Sequence, residues 1–299
     1  MLDVWFPYVL ISTILFGFTT IVDKLMLEKR LSSFSYYVSF APPAFAFSIG
    51  VLLSLPTNLL SAPSLIALLA GLISAGGYFV YVVSIRREEA SRIAALTSLA
   101  PAFIAALAFF FINEIFPAKS YVGIVLMIMG SALISYKRKH VRKIIPTSLI
   151  LVLILTNFMY SVDQTLSKIS LNHLFFWSFL AMFMLGRFAP AIPGLAIPSL
   201  RKRLVLEIKR LGRNLSLILA TDSIIWSVAI VLFFYSASLG PITLVSTTQL
   251  IAPLFTLLFA VMITKYIPRI LEEEIDRKTV ALKLLAILLI ILGTYLIMT

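Results

Sequence analysis

The chain has 299 residues, 61% of them hydrophobic and only 13% charged, with no cysteine and a formal net charge of +12. A soluble domain of this length carries about twice that charged fraction, so a water-soluble globular protein is excluded, and the lack of cysteine excludes disulfides and thiolate chemistry. Basic loops facing anionic lipid explain the charge more simply than nucleic acid does.

Apolar stretches of about 20 residues, the length a helix needs to cross a bilayer, recur from end to end. The sequence predicts ten spans, at 4–27, 33–55, 62–85, 91–112, 118–136, 146–168, 173–196, 214–238, 242–264 and 280–298. The first lacks a basic leader and a small-residue cleavage site, so it reads as a retained span and not a signal peptide. Even-numbered connections are short, such as "PTNLLS" at 56–61 and "ASLG" at 237–240. Odd-numbered ones are basic. Of the 25 Lys and Arg, only Lys119 and Lys168 fall on the even side, and Arg187 falls inside a span. The positive-inside rule then puts the odd loops in the cytoplasm and both termini outside, across a plasma or inner membrane. After span 7, "PSLRKRLVLEIKRLGRN" sets Leu200, Leu204, Ile208 and Leu211 among basic residues. This predicts a short amphipathic helix at 199–213 lying on anionic lipid; a calmodulin-like or nucleic-acid target is the alternative. After span 9, "LEEEIDRK" reads as a solvated helical extension.

The two halves repeat. Val22, Asp23 and Leu31 align with Val162, Asp163 and Leu171; Ala100, Pro101 and Phe103 with Ala252, Pro253 and Phe255; Gly130 with Gly293. A unit of five spans is odd-numbered, so its second copy enters the membrane from the opposite side. Such inverted repeats build two half-gates around a midplane site.

Spans 4 and 9 each carry a proline in a long apolar run, "TSLAPAFIAALAFFFINE" and "TQLIAPLFTLLFAVMITK". Proline leaves unpaired the carbonyl four residues earlier, here those of Thr97 and Gln249. The expectation is two matched kinks at Pro101 and Pro253, with Thr97, Ser98, Thr248 and Gln249 lining a central cavity. The plainer reading is that both prolines bend their helices for packing.

Among charged residues, Asp222 lies about two turns inside span 8, where a carboxylate costs roughly 2.5–3.5 kcal/mol to insert. Arg187 lies at similar depth in span 7. They are expected to form an ion pair or to read both ends of a zwitterion; a structural pair, or a snorkelling Arg187, is the alternative. A proton-coupling role for Asp222 follows as a hypothesis. Asn157, Tyr160, Ser161 and Gln164 share one face of span 6, which should point at the cavity. Asp23 and Asp163 could be gates, one at each membrane face, or interfacial helix-end charges. Tyr78, Tyr81 and Trp226 could stack on an aromatic or amphipathic substrate or fill the core. Glu114 is expected to bond a neighbouring helix. His140 and His173 have no metal-ligand partner at useful spacing, and no phosphate-binding Gly-rich loop follows a strand. No metal, cofactor or enzymatic activity is therefore expected.

"SIRREEASRIAALTSLAPAFIAALAFFFINEIF", followed by "YVGIVLMIMGSALIS", resembles the EamA-type repeat of the drug/metabolite transporter superfamily. Ala90, Ala94, Pro101, Glu114, Gly123 and Gly130 carry the likeness. The second copy keeps "SASLGPITLVSTTQLIAPLF" and "IILGTYLI" but has Lys265–Tyr266 where Asn113–Glu114 would fall. The resemblance implies an all-α integral membrane protein of ten transmembrane helices in two inverted five-helix repeats, 1–140 and 141–299. Spans 1, 3, 4, 6, 8 and 9 would surround the cavity, with 5 and 10 peripheral. It implies a secondary transporter, read here as an exporter, of a small metabolite, amino acid or drug-like solute working by alternating access. The fold does not fix the substrate. A lipid or lipid-linked-sugar translocase and a non-transporting scaffold are the alternatives.

Overall fold

The computed structural model describes residues 3–29, 31–55, 58–87, 98–134, 147–264 and 277–298. Every regular element among these is helical, as lipid requires of a chain that cannot leave backbone groups unpaired. In chain order they are α1 (Phe6–Lys29), α2 (Ser33–Ser39), α3 (Ala41–Ser54), α4 (Ala62–Arg87), α5 (Ala100–Ile112), α6 (Ala118–Ile134) and α7 (Thr147–Leu171). The second half has α8 (Phe176–Phe188), α9 (Ala191–Ala196), α10 (Pro198–Leu239), α11 (Ile242–Thr248), a 3-10 turn (Gln249–Ile251), α12 (Ala252–Thr264) and α13 (Arg277–Met298). Six helical stretches among the described residues are long and apolar enough to cross a membrane.

Several predicted spans are interrupted, each for a local reason. Span 2 splits at Phe40, where Pro42 and Pro43 occupy the first turn of α3, the one place a missing N–H costs nothing. Ser32 caps α2, its hydroxyl accepting from the Ser35 N–H at 3.3 Å. Pro101 and Pro253 follow the same rule. Each is the second residue of its helix, α5 or α12, directly after a turn at 98–99 or 249–251. The expected kink within a continuous helix is therefore corrected to a break just before each proline. The carbonyl of Gln249 is also not free, because the Ala252 N–H bonds to it in the 3-10 turn.

The amphipathic stretch after α9 is helical and runs into span 8, with the chain turning at Gly212 (φ 73°, ψ 171°). That backbone region is open only to glycine. Up to 211 the helix is dense in Arg and Lys, so only the part beyond Gly212 suits a bilayer interior. Leu200, Leu204, Glu207 and Leu211 turn toward the protein, while Val205, Leu206 and Ile208 are exposed.

Packing alternates between the halves. α1 lies on α10 and α12; α7 lies on α4 and α5; α6 pairs with α13. The α6–α13 contact runs through Gly123, Gly130 and Gly293, where a Cβ would come within 2.8 Å of the partner helix. Small residues give membrane helices this approach. The outward faces carry Phe110, Phe111, Leu288 and Tyr295, all well exposed, as lipid-facing surfaces should be.

Candidate solute-binding site

A buried polar cluster is assembled from six helices. Close packing of α4 on α8 sets one side. A Cβ on Gly71 would fall 2.0 Å from the Phe183 carbonyl, and one on Gly186 1.9 Å from the Leu68 carbonyl. Only glycine permits backbones this near, and the contact brings Ser74 against Arg187. Arg187 is 8% exposed. Its Nη1 donates to Ser74 Oγ, and the Ser74 hydroxyl also bonds to Asp163. The guanidinium lies over Trp226 at 5.0 Å and Tyr78 at 5.7 Å, distances at which ring quadrupoles attract a cation.

The other side is built on α2. The Tyr36 hydroxyl contacts Asp23 Oδ1 and lies 3.0 Å from Asp222 Oδ2. It thus joins α1 to α10. Asp222 is 1% exposed, and its Oδ1 has no hydrogen-bond partner. Tyr37 donates to the Arg187 carbonyl and packs against Tyr78, Phe79 and Phe188. Phe40 links Tyr36 to Trp226. The result is an aromatic wall with Asp23 and Asp222 at one end and Arg187 with Asp163 at the other.

The expected ion pair between Asp222 and Arg187 does not form. Both residues are deep, but Asp222 is taken by Tyr36, and Arg187 is turned by the Gly71–Gly186 contact toward Ser74. Asp23 and Asp163, read from the sequence as gates at the two membrane faces or as interfacial helix-end charges, both lie within electrostatic reach of Tyr160. Asn157 is buried at 1% exposure on the same face of α7. Gln164 accepts from the Ser246 hydroxyl of α11. Ser98 and Thr248 spend their hydroxyls on packing: Ser98 on Ser131 at 2.9 Å, Thr248 on the Leu244 carbonyl at 2.8 Å. Gln249 is half-buried in the 3-10 turn. Thr97 lies outside the described residues, as do His140, Lys265 and most of the stretch after span 9.

Tyr36, Tyr37 and Ser74 were not singled out as site residues. Their signal was present: "SFSYYVSF" sets two tyrosines among serines inside an apolar span.

A second polar group clamps the α10–α11 hairpin. Glu114 accepts from the Ile242 N–H at 2.8 Å and from the Thr243 N–H and hydroxyl at 3.1 and 2.7 Å. Lys168 donates to the Ala237 and Gly240 carbonyls at 2.7 and 3.0 Å. The anion sits at a helix N-terminus and the cation at a helix C-terminus, matching both dipoles.

Apolar helices around a buried cluster of charges and aromatics define the class, a polytopic membrane protein. Residues 4–136 match the EamA-like transporter family. That match, confined to 4–136, supports reading the chain as similar to EamA-type membrane transporters of the drug/metabolite transporter superfamily. No curated protein matches the chain. Among 25 solved chains that match, the crystal structure of one protein shares the fold at TM-score 0.72. The alignment covers 98% of this chain and 96% of that one at 14% identity.

Proposed function

We propose that this protein is a secondary transporter, and an exporter, of a small metabolite, amino acid or drug-like solute. The buried cluster around Asp23, Asp222 and Arg187 is its binding site. The carrying observation is that ionisable groups from spans 1, 7 and 8 meet an aromatic wall inside apolar helices. Intramembrane charges of this kind are costly, and they mark substrate or ion pathways. Tyr78, Trp226, Asn157, Tyr160 and Gln164 would contact or flank the solute, with Asp23 and Asp163 moving as the halves rock.

Ten spans in two inverted repeats, 1–140 and 141–299, are part of this reading, and the packing supports them. Exchanging the halves turns the α1–α10 and α1–α12 contacts into α7–α4 and α7–α5, and returns the α6–α13 pair to itself. A two-fold axis in the membrane plane has that property. The charge bias supports cytoplasmic odd loops, with the helix at 198–211 resting on anionic lipid of the inner leaflet.

A thermal-stability screen of purified protein tests the reading. Amino acids, nucleotide sugars, nucleobases, polyamines and cationic drugs would be compared on the wild type, Asp222→Asn and Arg187→Ala. A solute bound only by the folded state raises the melting temperature. The expected result is a hit lost in both variants. A hit kept in both would move the site elsewhere, and no hit with folded protein would count against solute transport.

A further inference from the structure

We infer that Asp23, Tyr36 and Asp222 form a binding site for one proton, which ties α1, α2 and α10 together. A phenol has a single O–H to donate, yet the Tyr36 oxygen is in hydrogen-bond contact with two carboxyl groups. It can donate to one only. The other contact, at 3.0 Å, would set two acceptor oxygens face to face unless that carboxyl carries a proton and donates to the phenol. The three groups therefore share two hydrogens, the phenolic one and one more.

The surroundings assign the extra proton to Asp222. Asp222 Oδ1 is buried without a donor. A neutral carbonyl bears that far more cheaply than an anionic oxygen does. Among the described side chains, no other ionisable group supplies a countercharge to the triad. From α4, Tyr78 and Tyr81 lie within reach of Asp23, as does Tyr160 from α7. All three are neutral phenols. From α8, Arg187 is engaged by Ser74 and the rings of Tyr78 and Trp226, and Asp163 is bonded to Ser74 on that side. Among the described side chains no cation bonds to either carboxyl of the triad.

The chain of bonds is then Asp222 O–H to Tyr36, and Tyr36 O–H to the Asp23 carboxylate. Loss of the proton leaves two carboxylates facing one phenol, and the α1–α10 tie through α2 is broken. If the protein moves solutes as proposed above, this is where a proton would couple to the motion. That consequence rests on the transport reading; the proton itself does not.

Infrared titration of the purified full chain tests it without any solute. The wild type at neutral pH is expected to show the carbonyl stretch of one protonated, buried carboxyl that is absent from Asp222→Asn. In that variant the introduced amide can donate to Tyr36, and Asp23 stays ionised. Tyr36→Phe should shift the wild-type band, because the acid loses its acceptor. No protonated-carboxyl band in the wild type would overturn the inference. So would a band unchanged in Asp222→Asn, or one unmoved by Tyr36→Phe. Should Asp222→Asn fail to fold, the wild type and Tyr36→Phe decide between them. A failed solute screen beside a positive infrared result would reject transport and keep the proton site; the opposite pair would do the reverse.

Discussion

Replacing Glu114 probes how α11 is held. This helix is seven residues long and wholly buried, and its N-cap, Pro241, offers no side-chain bond. Its first N–H groups therefore face neither water nor a local cap, and a helix start buried without partners is costly. Glu114 supplies them from another span through two backbone bonds and the Thr243 hydroxyl. Hydrogen bonds to a charged group are worth about 1.5–3 kcal/mol each, but bonds sharing one carboxylate are not additive. A loss of about 3 kcal/mol is expected for Glu114→Ala. Glu114→Gln keeps one carbonyl acceptor and should lose about half as much. Thr243→Val removes the hydroxyl bond alone and should cost about 1 kcal/mol. Equilibrium unfolding in mixed micelles, followed by tryptophan fluorescence, reads these values. An alanine variant within about 0.5 kcal/mol of wild type, the range of an ordinary surface change, would refute the capping argument.

Other positions give independent checks. Gly186→Val would drive a side chain into the Leu68 carbonyl, already 1.9 Å from an added Cβ; separation of α4 and α8 should cost at least about 2 kcal/mol and lower the melting temperature. Arg187→Lys keeps the charge but not the planar group over Trp226 and Tyr78; a loss of about 1 kcal/mol is expected, with a change in Trp226 emission. Gly212→Ala should cost about 1–3 kcal/mol and change protease access to the helix at 198–211. That helix is also pinned by Glu207, which accepts from the Ser32 N–H and hydroxyl at 2.8 Å each and from Arg203 at 2.8 Å. Partial burial pushes this carboxyl up, but bonds from Ser35, Ser32 and Arg203 pull it further down, to about 2. A lowered carboxyl stabilises above its unfolded value and stops doing so as pH falls through the folded one. Amide protection factors in 198–211, taken relative to the intrinsic exchange rate at each pH, should therefore fall as pH drops from about 4.5 toward 2 in wild type, and Glu207→Gln should flatten that dependence.

Hydropathy made the apolar helices readable, because bilayer thickness imposes their length directly on the sequence. Proline placement was readable in part. The sequence located the interruptions at Pro101 and Pro253, but not that each proline opens a new helix, since that depends on how the preceding turn closes. Glu114 was expected to bond a neighbouring helix and does so. The site was harder to read because depth along a span says nothing of rotation about it. Asp222 and Arg187 lie at comparable depth, yet the glycine contact between α4 and α8 turns Arg187 to Ser74. Tyr36 could not be paired with Asp23 and Asp222 from sequence, as its contacts join three separate spans. Glu207 interrupts an apolar face and reads as a surface charge until the Ser32 cap is seen beneath it.

The central claim is that the polar cluster is reached from each side of the membrane in turn. The chain has no cysteine, so a single Trp226→Cys, one turn from Asp222, would report alone. Sealed vesicles of both orientations would be treated with a membrane-impermeant thiol reagent. Labelling from either face is predicted, with an ion gradient or a bound solute favouring one face at the expense of the other. No labelling from either face in folded protein, or access from one face only under every condition, would contradict alternating access around this site.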